Sequence, residues 1–400
     1  MKITLVLLFL LLSRGSLPFV QAKTQVQVDI LEQSADYLFD DWLHFYARYE
    51  SSEGLQEGFV FYQYRGSERA WVFEGELSEE QALDVQVELN EENSPPPFTE
   101  LEYWYRFASD RGEIIESQHY TLYYDDNRYA WQHQESPPFL LYWHHGDLAF
   151  GQSILAAARQ GVTRAQELLA LPDLENAVLR VYDDEEDVQG IARQAGFIWQ
   201  AGHTDPQGGL ILLALPPGPQ QNLEVQRQVP HEVGHLMLYR SLGPAYYRLP
   251  DWLNEGFASN VEIYSDPAQS EMLASANAAD DLIPLFSLCH AFPQDRDSAR
   301  LAYAQSTSFV RYLFERYNSV GFGLLVDAYS TNDDCLEAPV QVFGKDLNAM
   351  EAEWRTATFD QDQGVMAWVS TAPWQAMIVS AGLALAIFLL LRSARLGRGS

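Results

Sequence analysis

Basic residues are scarce in this chain of 400 amino acids. Lys and Arg together number 25 against 56 Asp and Glu, which gives a formal net charge of −31. A nucleic-acid partner is disfavoured, because Lys and Arg are needed to displace the counterions of a phosphate backbone. The acidic surplus is typical of a solvated surface that keeps a protein soluble, and recognition of a basic partner is the alternative.

Cysteine is nearly absent, since the chain contains Cys289 and Cys335 alone. Neither belongs to a CxxC pair, so the sequence does not support a cysteine-based metal site. In an oxidising compartment the two thiols could form one disulfide, and two free buried thiols are the alternative. The chain also lacks an internal repeat, which argues against a solenoid and leaves two ordinary domains as the expectation for this length.

Long apolar runs are confined to the two ends of the chain. At the N-terminus, Lys2 precedes an apolar run over residues 3–12, and the small residue Ala22 closes a polar stretch. This order of charged start, short apolar segment and small residues predicts a secretory signal peptide over residues 1–22.

The second apolar run lies near the C-terminus. Between Asp362 and Arg392 no charged residue occurs, and residues 376–391 are almost wholly apolar. With its flank this segment is long enough to cross a bilayer, so it predicts a transmembrane helix over 371–391. Arginines follow in the tail 392–400, and the positive-inside rule places that tail in the cytoplasm. We therefore expect a single-pass cell-membrane protein with an extracytoplasmic body.

The first part of the body is rich in aromatic and β-branched residues that alternate with polar ones. The alternation covers residues 83–89, 101–107 and 120–124, with further apolar runs at 43–49, 58–64 and 70–77. Period-two alternation is typical of half-buried strands. Six or seven short antiparallel strands predict an all-β immunoglobulin-like sandwich over residues 23–140. Its aromatic residues are most simply its core, and a surface that recognises a partner is the alternative.

After Pro137 and Pro138 the apolar residues recur at helical spacing, beginning with residues 154–169. Strands are predicted at 178–182 and 209–215, and helices dominate from residue 222 onward. This order predicts an α+β domain over residues 141–360.

The most informative segment is His231-Glu232-Val233-Gly234-His235. Two histidines four residues apart lie on one helix face, so both imidazoles can bind one zinc ion. Glu232 lies where it can take a proton from a metal-bound water. Two surface histidines on a helix are the alternative.

A third ligand is offered by Asp251-Trp252-Leu253-Asn254-Glu255-Gly256-Phe257-Ala258. A catalytic zinc site uses three protein ligands and keeps one open position, and Glu255 follows after enough chain to form a turn and a second helix. We expect Asp251 to cap that helix. Pro230 precedes His231, so we expect the first helix to start or kink there.

The two motifs, HEVGH and WLNEGFA, resemble those of the gluzincin zinc metallopeptidases, the clan of thermolysin and the membrane aminopeptidases. The layout is similar to that of bacterial peptidase MA-like domain proteins. The resemblance implies a thermolysin-like domain, a Zn²⁺ cofactor held by His231, His235 and Glu255, Glu232 as general base, and a peptide or protein substrate.

Further residues match or depart from that family. Tyr303 lies where the aminopeptidases carry a tyrosine that stabilises the oxyanion, although Gln305 and Ser306 replace the Lys and Gly of their motif; a helix-packing tyrosine is the alternative. Ser259 replaces an acidic residue that orients a histidine in thermolysin-like sites. Residues 208–214 are expected to form the edge strand that binds substrate, and they lack the Gly-x-Met-x-Asn signature of an aminopeptidase.

These observations predict a membrane-anchored zinc endopeptidase. The alternative is a membrane-anchored binding or scaffold protein with a structural or vestigial zinc site.

Overall fold

The computed structural model describes residues 26–194, 202–205, 207–332 and 334–371. The chain divides into two compact units, residues 1–128 and 129–400. The predicted signal peptide and the cytoplasmic tail lie outside the described residues, as does the predicted transmembrane helix beyond Thr371. No helix of the described part is long and apolar enough to cross a membrane.

The first unit is an antiparallel β-sheet of eight strands. Their order in the sheet is β1-β2-β5-β4-β3-β6-β7, and β8 also pairs with β6. The strands are β1 Val28–Leu38, β2 Trp42–Ser51, β3 Leu55–Tyr64, β4 Trp71–Leu77, β5 Ala82–Glu88, β6 Thr99–Ser109, β7 Ile114–Glu116 and β8 Tyr120–Tyr124. Alternate residues of β5 and β6 are buried, as the period-two pattern predicts.

The predicted immunoglobulin-like sandwich is wrong in its topology, because the strands form one continuous sheet and not two. The link between the halves is the short pairing of β4 with β5, which joins Glu76 to Asp84 and Leu77 to Leu83. The halves face each other across aromatic contacts. The ring of Phe45 in β2, for example, lies 5.1 Å from that of Tyr103 in β6. Alternation shows which side of a strand is buried, but not which strands are hydrogen-bonded.

The second unit combines a five-stranded sheet with helices. The sheet order is β12-β13-β11-β10-β9, in which β10, β11 and β13 are parallel and both outer strands are antiparallel. The elements are β9 Gln132–Ser136, β10 Phe139–Trp143, α1 Leu148–Leu168, β11 Ala177–Tyr182, α2 Glu185–Gln194, β12 Gly202–Asp205, β13 Leu210–Ala214, α3 Gln221–Leu242, α4 Asp251–Val261, α5 Ala268–Ala279, α6 Arg296–Thr331, α7 Glu337–Phe343 and α8 Leu347–Thr371, with 3₁₀ turns at Gly243–Arg248 and Leu285–Leu288.

The division of the chain into the two units falls between Arg128 and Tyr129, upstream of the predicted boundary at residue 140. Pro137 and Pro138 lie in the turn between β9 and β10, and β10 continues the sheet through β11. The proline pair therefore marks a hairpin of the second unit and not the edge of a domain.

Helix α4 approaches α6 closely because residue 256 is glycine. A Cβ atom there would lie 2.5 Å from the Ser306 carbonyl oxygen and 2.6 Å from the Val310 side chain. The buried aromatic rings of Trp252 and Phe309 lie beside this contact, 5.0 Å apart. The close approach fixes α4, and with it Glu255, within the helical core.

Cys289 and Cys335 form a disulfide, which decides between the two alternatives left by the sequence. Both residues are buried, and the bridge closes a loop across a sequence separation of 46 residues. In the chain-entropy description, closing a loop of this size stabilises the folded state by about 4 kcal/mol.

We expect the double variant Cys289→Ser/Cys335→Ser to lose about that much free energy of unfolding, because the unfolded chain regains the entropy of the open loop. Urea denaturation of both proteins measures the difference, with the wild type under strong reductant as the matched control. An unchanged denaturation midpoint in the variant would show that the bridge contributes nothing to stability.

Candidate metal centre

Three predicted ligand residues come together where α3 and α4 cross. His231 and His235 lie one turn apart on α3, and their Nε2 atoms are 3.1 Å apart. Glu255 on α4 places its Oε2 atom 3.3 Å from His231 Nε2 and 3.5 Å from His235 Nε2. Among the described residues, these three form a group whose side-chain atoms lie close enough together to hold a metal ion.

The triangle of ligand atoms fits a zinc ion. Bonds of about 2.0 Å in a tetrahedral site place neighbouring ligand atoms about 3.3 Å apart, close to the three observed distances. Glu255 Oε2 is buried and makes no hydrogen bond of normal geometry. Burying a charged carboxylate oxygen without a partner costs free energy, unless a cation compensates for its lost hydration. Burial raises the pKa of Glu255, but the two imidazoles outweigh it and hold the pKa well below its usual range.

Each imidazole is oriented through its second nitrogen. His231 Nδ1 lies 3.0 Å from Glu262 Oε1, with Ser259 Oγ further away at 3.5 Å. His235 Nδ1 lies 3.1 Å from Asn254 Oδ1. A partner on Nδ1 fixes the tautomer that directs Nε2 towards a metal.

Sequence analysis did not identify Glu262. Thermolysin-like sites, which the two motifs resemble, carry an acidic residue where this chain has Ser259, and Glu262 instead follows the last residue of α4. Nor did it identify Tyr246, whose hydroxyl accepts a hydrogen bond from Asn254 and lies 3.2 Å from His235 Nδ1. The one sequence signal for these contacts is Asn254, the residue directly before Glu255 in WLNEGFA, which contacts both His235 and Tyr246.

Glu232 is buried beside the predicted ligand residues and contacts the edge of the sheet. Thr204 Oγ1 donates to Glu232 Oε2 at 2.7 Å and lies 3.3 Å from the Glu232 carbonyl oxygen. Thr204 belongs to β12, so the strand nearest the site is β12 and not the predicted segment 208–214. That segment forms β13, which lies between β12 and β11. The prediction failed because β12 is four polar or small residues long and has no strand signature in the sequence.

Tyr303 lies at the same site. Its ring is 6.5 Å from the ring of His231, and Phe292 packs against its edge with ring centroids 4.9 Å apart. Burial raises the pKa of Tyr303 well above its ordinary value, and the carboxylates of Glu255 and Glu232 raise it further. The phenol therefore stays protonated and can donate a hydrogen bond.

One local expectation about the helices is wrong, and a second is decided in part. Asp251 is the first residue of α4, with Pro250 at the cap position, and its side chain makes no capping hydrogen bond. Burial, and then the charge of Glu255, raises the pKa of Asp251 to about 6. Of the start or kink expected at Pro230, the start is excluded, because α3 begins at Gln221 and contains Pro230 in its buried interior.

Solved structures similar to this chain include an M1 zinc metallopeptidase variant from Deinococcus radiodurans, with 11% identity, a TM-score of 0.34, and coverage of 82% of this chain and 94% of that one. A two-domain M1 zinc metallopeptidase variant bound to L-arginine gives the same values. A carbohydrate-binding module of family 56, a β-1,3-glucan binding domain, matches 23% of this chain and 95% of its own at 13% identity and a TM-score of 0.16. No match was found among curated proteins.

The sequence profile of the Peptidase MA superfamily matches residues 157–360. That range covers half of the chain and contains the HEVGH and WLNEGFA motifs, the three predicted ligand residues and Tyr303. The chain belongs to the Peptidase MA superfamily.

Proposed function

We propose that this protein is a zinc-dependent peptidase whose metal is held by His231, His235 and Glu255. The observation that carries the proposal is the triangle of buried ligand atoms with Glu232 beside it. We further propose that the body is extracytoplasmic, and that the segment 371–391 anchors it in the cell membrane. The signal-peptide pattern and the arginines of the tail support this location.

The chain's own residues have distinct tasks in the proposed hydrolysis. Zinc, when bound, supplies Lewis acidity that activates water and polarises the scissile carbonyl. Glu232 accepts the proton of the attacking water and transfers it to the leaving amine, so no covalent intermediate with the protein is needed. The protonated phenol of Tyr303 donates to the oxygen on which negative charge develops.

The sheet offers a way to hold an extended peptide. β12 is one of the two outer strands of the sheet, and its Thr204 contacts the proposed general base. A substrate that pairs with β12 by β-strand addition would therefore run past Glu232. The chain lacks the Gly-x-Met-x-Asn signature that binds a free amino terminus, which favours an endopeptidase.

The alternative is a membrane-anchored scaffold whose zinc site is structural or vestigial. A structural zinc site usually closes its fourth position with a protein ligand. Among the described residues the group comprises three ligands, and a buried glutamate stands beside them. This composition favours the catalytic interpretation.

Cleavage of a peptide library by the full-length protein tests the proposal. Mass spectrometry would identify the products, and the variant Glu232→Gln supplies the blank. Cleavage by the wild type and not by the blank supports a peptidase. A zinc-loaded wild type that cleaves no member of a diverse library would favour the scaffold.

We expect Thr204→Val to lower kcat about tenfold with little change in KM, because one hydrogen bond to a charged group contributes about 1.5–3 kcal/mol. Valine matches threonine in shape and lacks the hydroxyl that positions Glu232. Thr204→Ser, which keeps the hydroxyl, is the matched control and should retain most of kcat. Equal kcat values for the Val and Ser variants would contradict a positioning role.

A further inference from the structure

Pro230 lies inside α3, directly before the first zinc-binding histidine. A proline has no N–H, so the carbonyl four residues earlier, that of Gln226, loses its helical partner. In this structure the Gln226 carbonyl accepts hydrogen bonds from two other amides, those of Ile263 at 2.9 Å and Tyr264 at 3.3 Å. The carbonyl freed by Pro230 thus binds the chain just after α4.

The residue before Ile263 is Glu262, the partner of His231. Glu262 leaves the helix with φ −53° and ψ 140°, and its carboxylate lies 3.0 Å from His231 Nδ1. It is 8% exposed. Its side-chain position depends on where the chain leaves α4, because no helical hydrogen bond fixes the backbone beyond Val261.

Arg164 of α1 also binds the C-terminal end of α4. Its Nε donates to the Val261 carbonyl at 2.8 Å, and its Nη2 donates to the Asn260 carbonyl at 3.3 Å. These carbonyls belong to the last turn of α4, which has no further helical donors. Helix α1 also lies close to α3 at Gly161, where a Cβ atom would lie 2.9 Å from the Cα of Pro230.

We propose that Arg164, Gln226 and Pro230 form a clasp on the end of α4 that positions Glu262 against His231 and thereby raises the affinity of the site for zinc. None of the three residues is a zinc ligand. Each is a positioning residue that acts through Glu262. The inference rests on the proposed function in that zinc is the ion that binds.

The variant Pro230→Ala tests the clasp, because it should weaken zinc affinity without lowering the stability of the metal-free protein. Alanine restores an N–H that reclaims the Gln226 carbonyl from Ile263 and Tyr264. We expect the Kd for zinc to weaken about tenfold, the lower end of the effect of losing an outer partner of a metal ligand. The melting temperature of the metal-free protein should not fall, because alanine is more favourable than proline inside a helix. If Pro230 had only a structural role, its replacement would not weaken zinc binding while leaving the melting temperature unchanged or higher.

The variant Arg164→Met tests the second contact, with Arg159→Met as the matched control. Arg159 is on the same helix and is exposed. We expect Arg164→Met to weaken zinc binding about tenfold and Arg159→Met to leave it unchanged. In a Glu262→Gln background Arg164→Met should add little, because both changes act through the same interaction.

Competition between the full-length protein and a zinc chelator measures each Kd without any peptide substrate. The clasp is overturned if Pro230→Ala and Arg164→Met bind zinc as the wild type does, or if Arg164→Met weakens binding equally with and without Glu262. A wild type that binds zinc but cleaves no peptide would refute the peptidase and leave this test intact, whereas a wild type that binds no zinc overturns both.

Discussion

Glu232→Gln is expected to lower kcat for peptide hydrolysis about 10²–10⁴-fold, the usual contribution of a general acid–base residue. An amide cannot accept the proton of the attacking water. Its oxygen can still accept the hydrogen bond that Thr204 donates to Glu232. Glu232 is outside the triangle of ligand atoms, so the zinc content should remain that of the wild type. Kinetics on a cleaved library peptide, with metal analysis of the same samples, measures both quantities.

Comparing kcat with the zinc content of Glu232→Gln shows which role Glu232 has. A scaffold with a structural zinc site would have no hydrolysis for this substitution to remove. A variant that loses zinc together with activity would show that Glu232 supports the metal centre and not the proton transfer. A variant that keeps full kcat would contradict its assignment as the base.

Tyr303→Phe is expected to lower kcat about 10²–10³-fold, as the loss of one oxyanion donor does in other hydrolases. Phenylalanine keeps the ring that packs against Phe292, so the fold and the zinc content should stay unchanged. The hydroxyl is the one group removed, and the raised pKa of Tyr303 means that it is a donor at neutral pH.

Tyr312→Phe is the matched control for this experiment. Tyr312 lies more than two turns further along α6 and bonds to Glu353. Its replacement should leave kcat unchanged. If Tyr303→Phe also retains full kcat, the tyrosine packs α6 and takes no part in the reaction.

The meeting of His231, His235 and Glu255 could be predicted from the sequence because it depends mostly on local geometry. His231 and His235 are four residues apart, and helical periodicity alone places both on one face. Glu255 followed from a motif whose spacing leaves room for a turn and a second helix. In the structure these residues meet as expected.

The surroundings of the site depend on contacts between distant segments, which no local pattern encodes. Glu262 reaches His231 because α4 ends at Val261 and the chain turns back towards α3. Thr204 reaches Glu232 because a four-residue strand pairs with β13. The sequence left a helix start or a kink open at Pro230, because the chain after α4 that binds the Gln226 carbonyl lies more than thirty residues further on.

The first unit shows the same division between local and distant information. Six of its eight strands were predicted from alternating or apolar runs such as that of β6, and the structure confirms these six, whereas β1 and β7 were not predicted. The continuity of the sheet rests on the two residue pairs between β4 and β5, which alternation does not specify.

Zinc content of the full-length protein, compared between wild type and Glu255→Ala, tests the central claim most directly. Glu271→Ala, an exposed glutamate on α5, is the matched control. The account predicts about one zinc per chain in the wild type and in the control, and its loss or marked weakening in Glu255→Ala. A well-folded wild type that takes up no zinc even after metal is added, or a Glu255→Ala protein that retains the full complement, would contradict it.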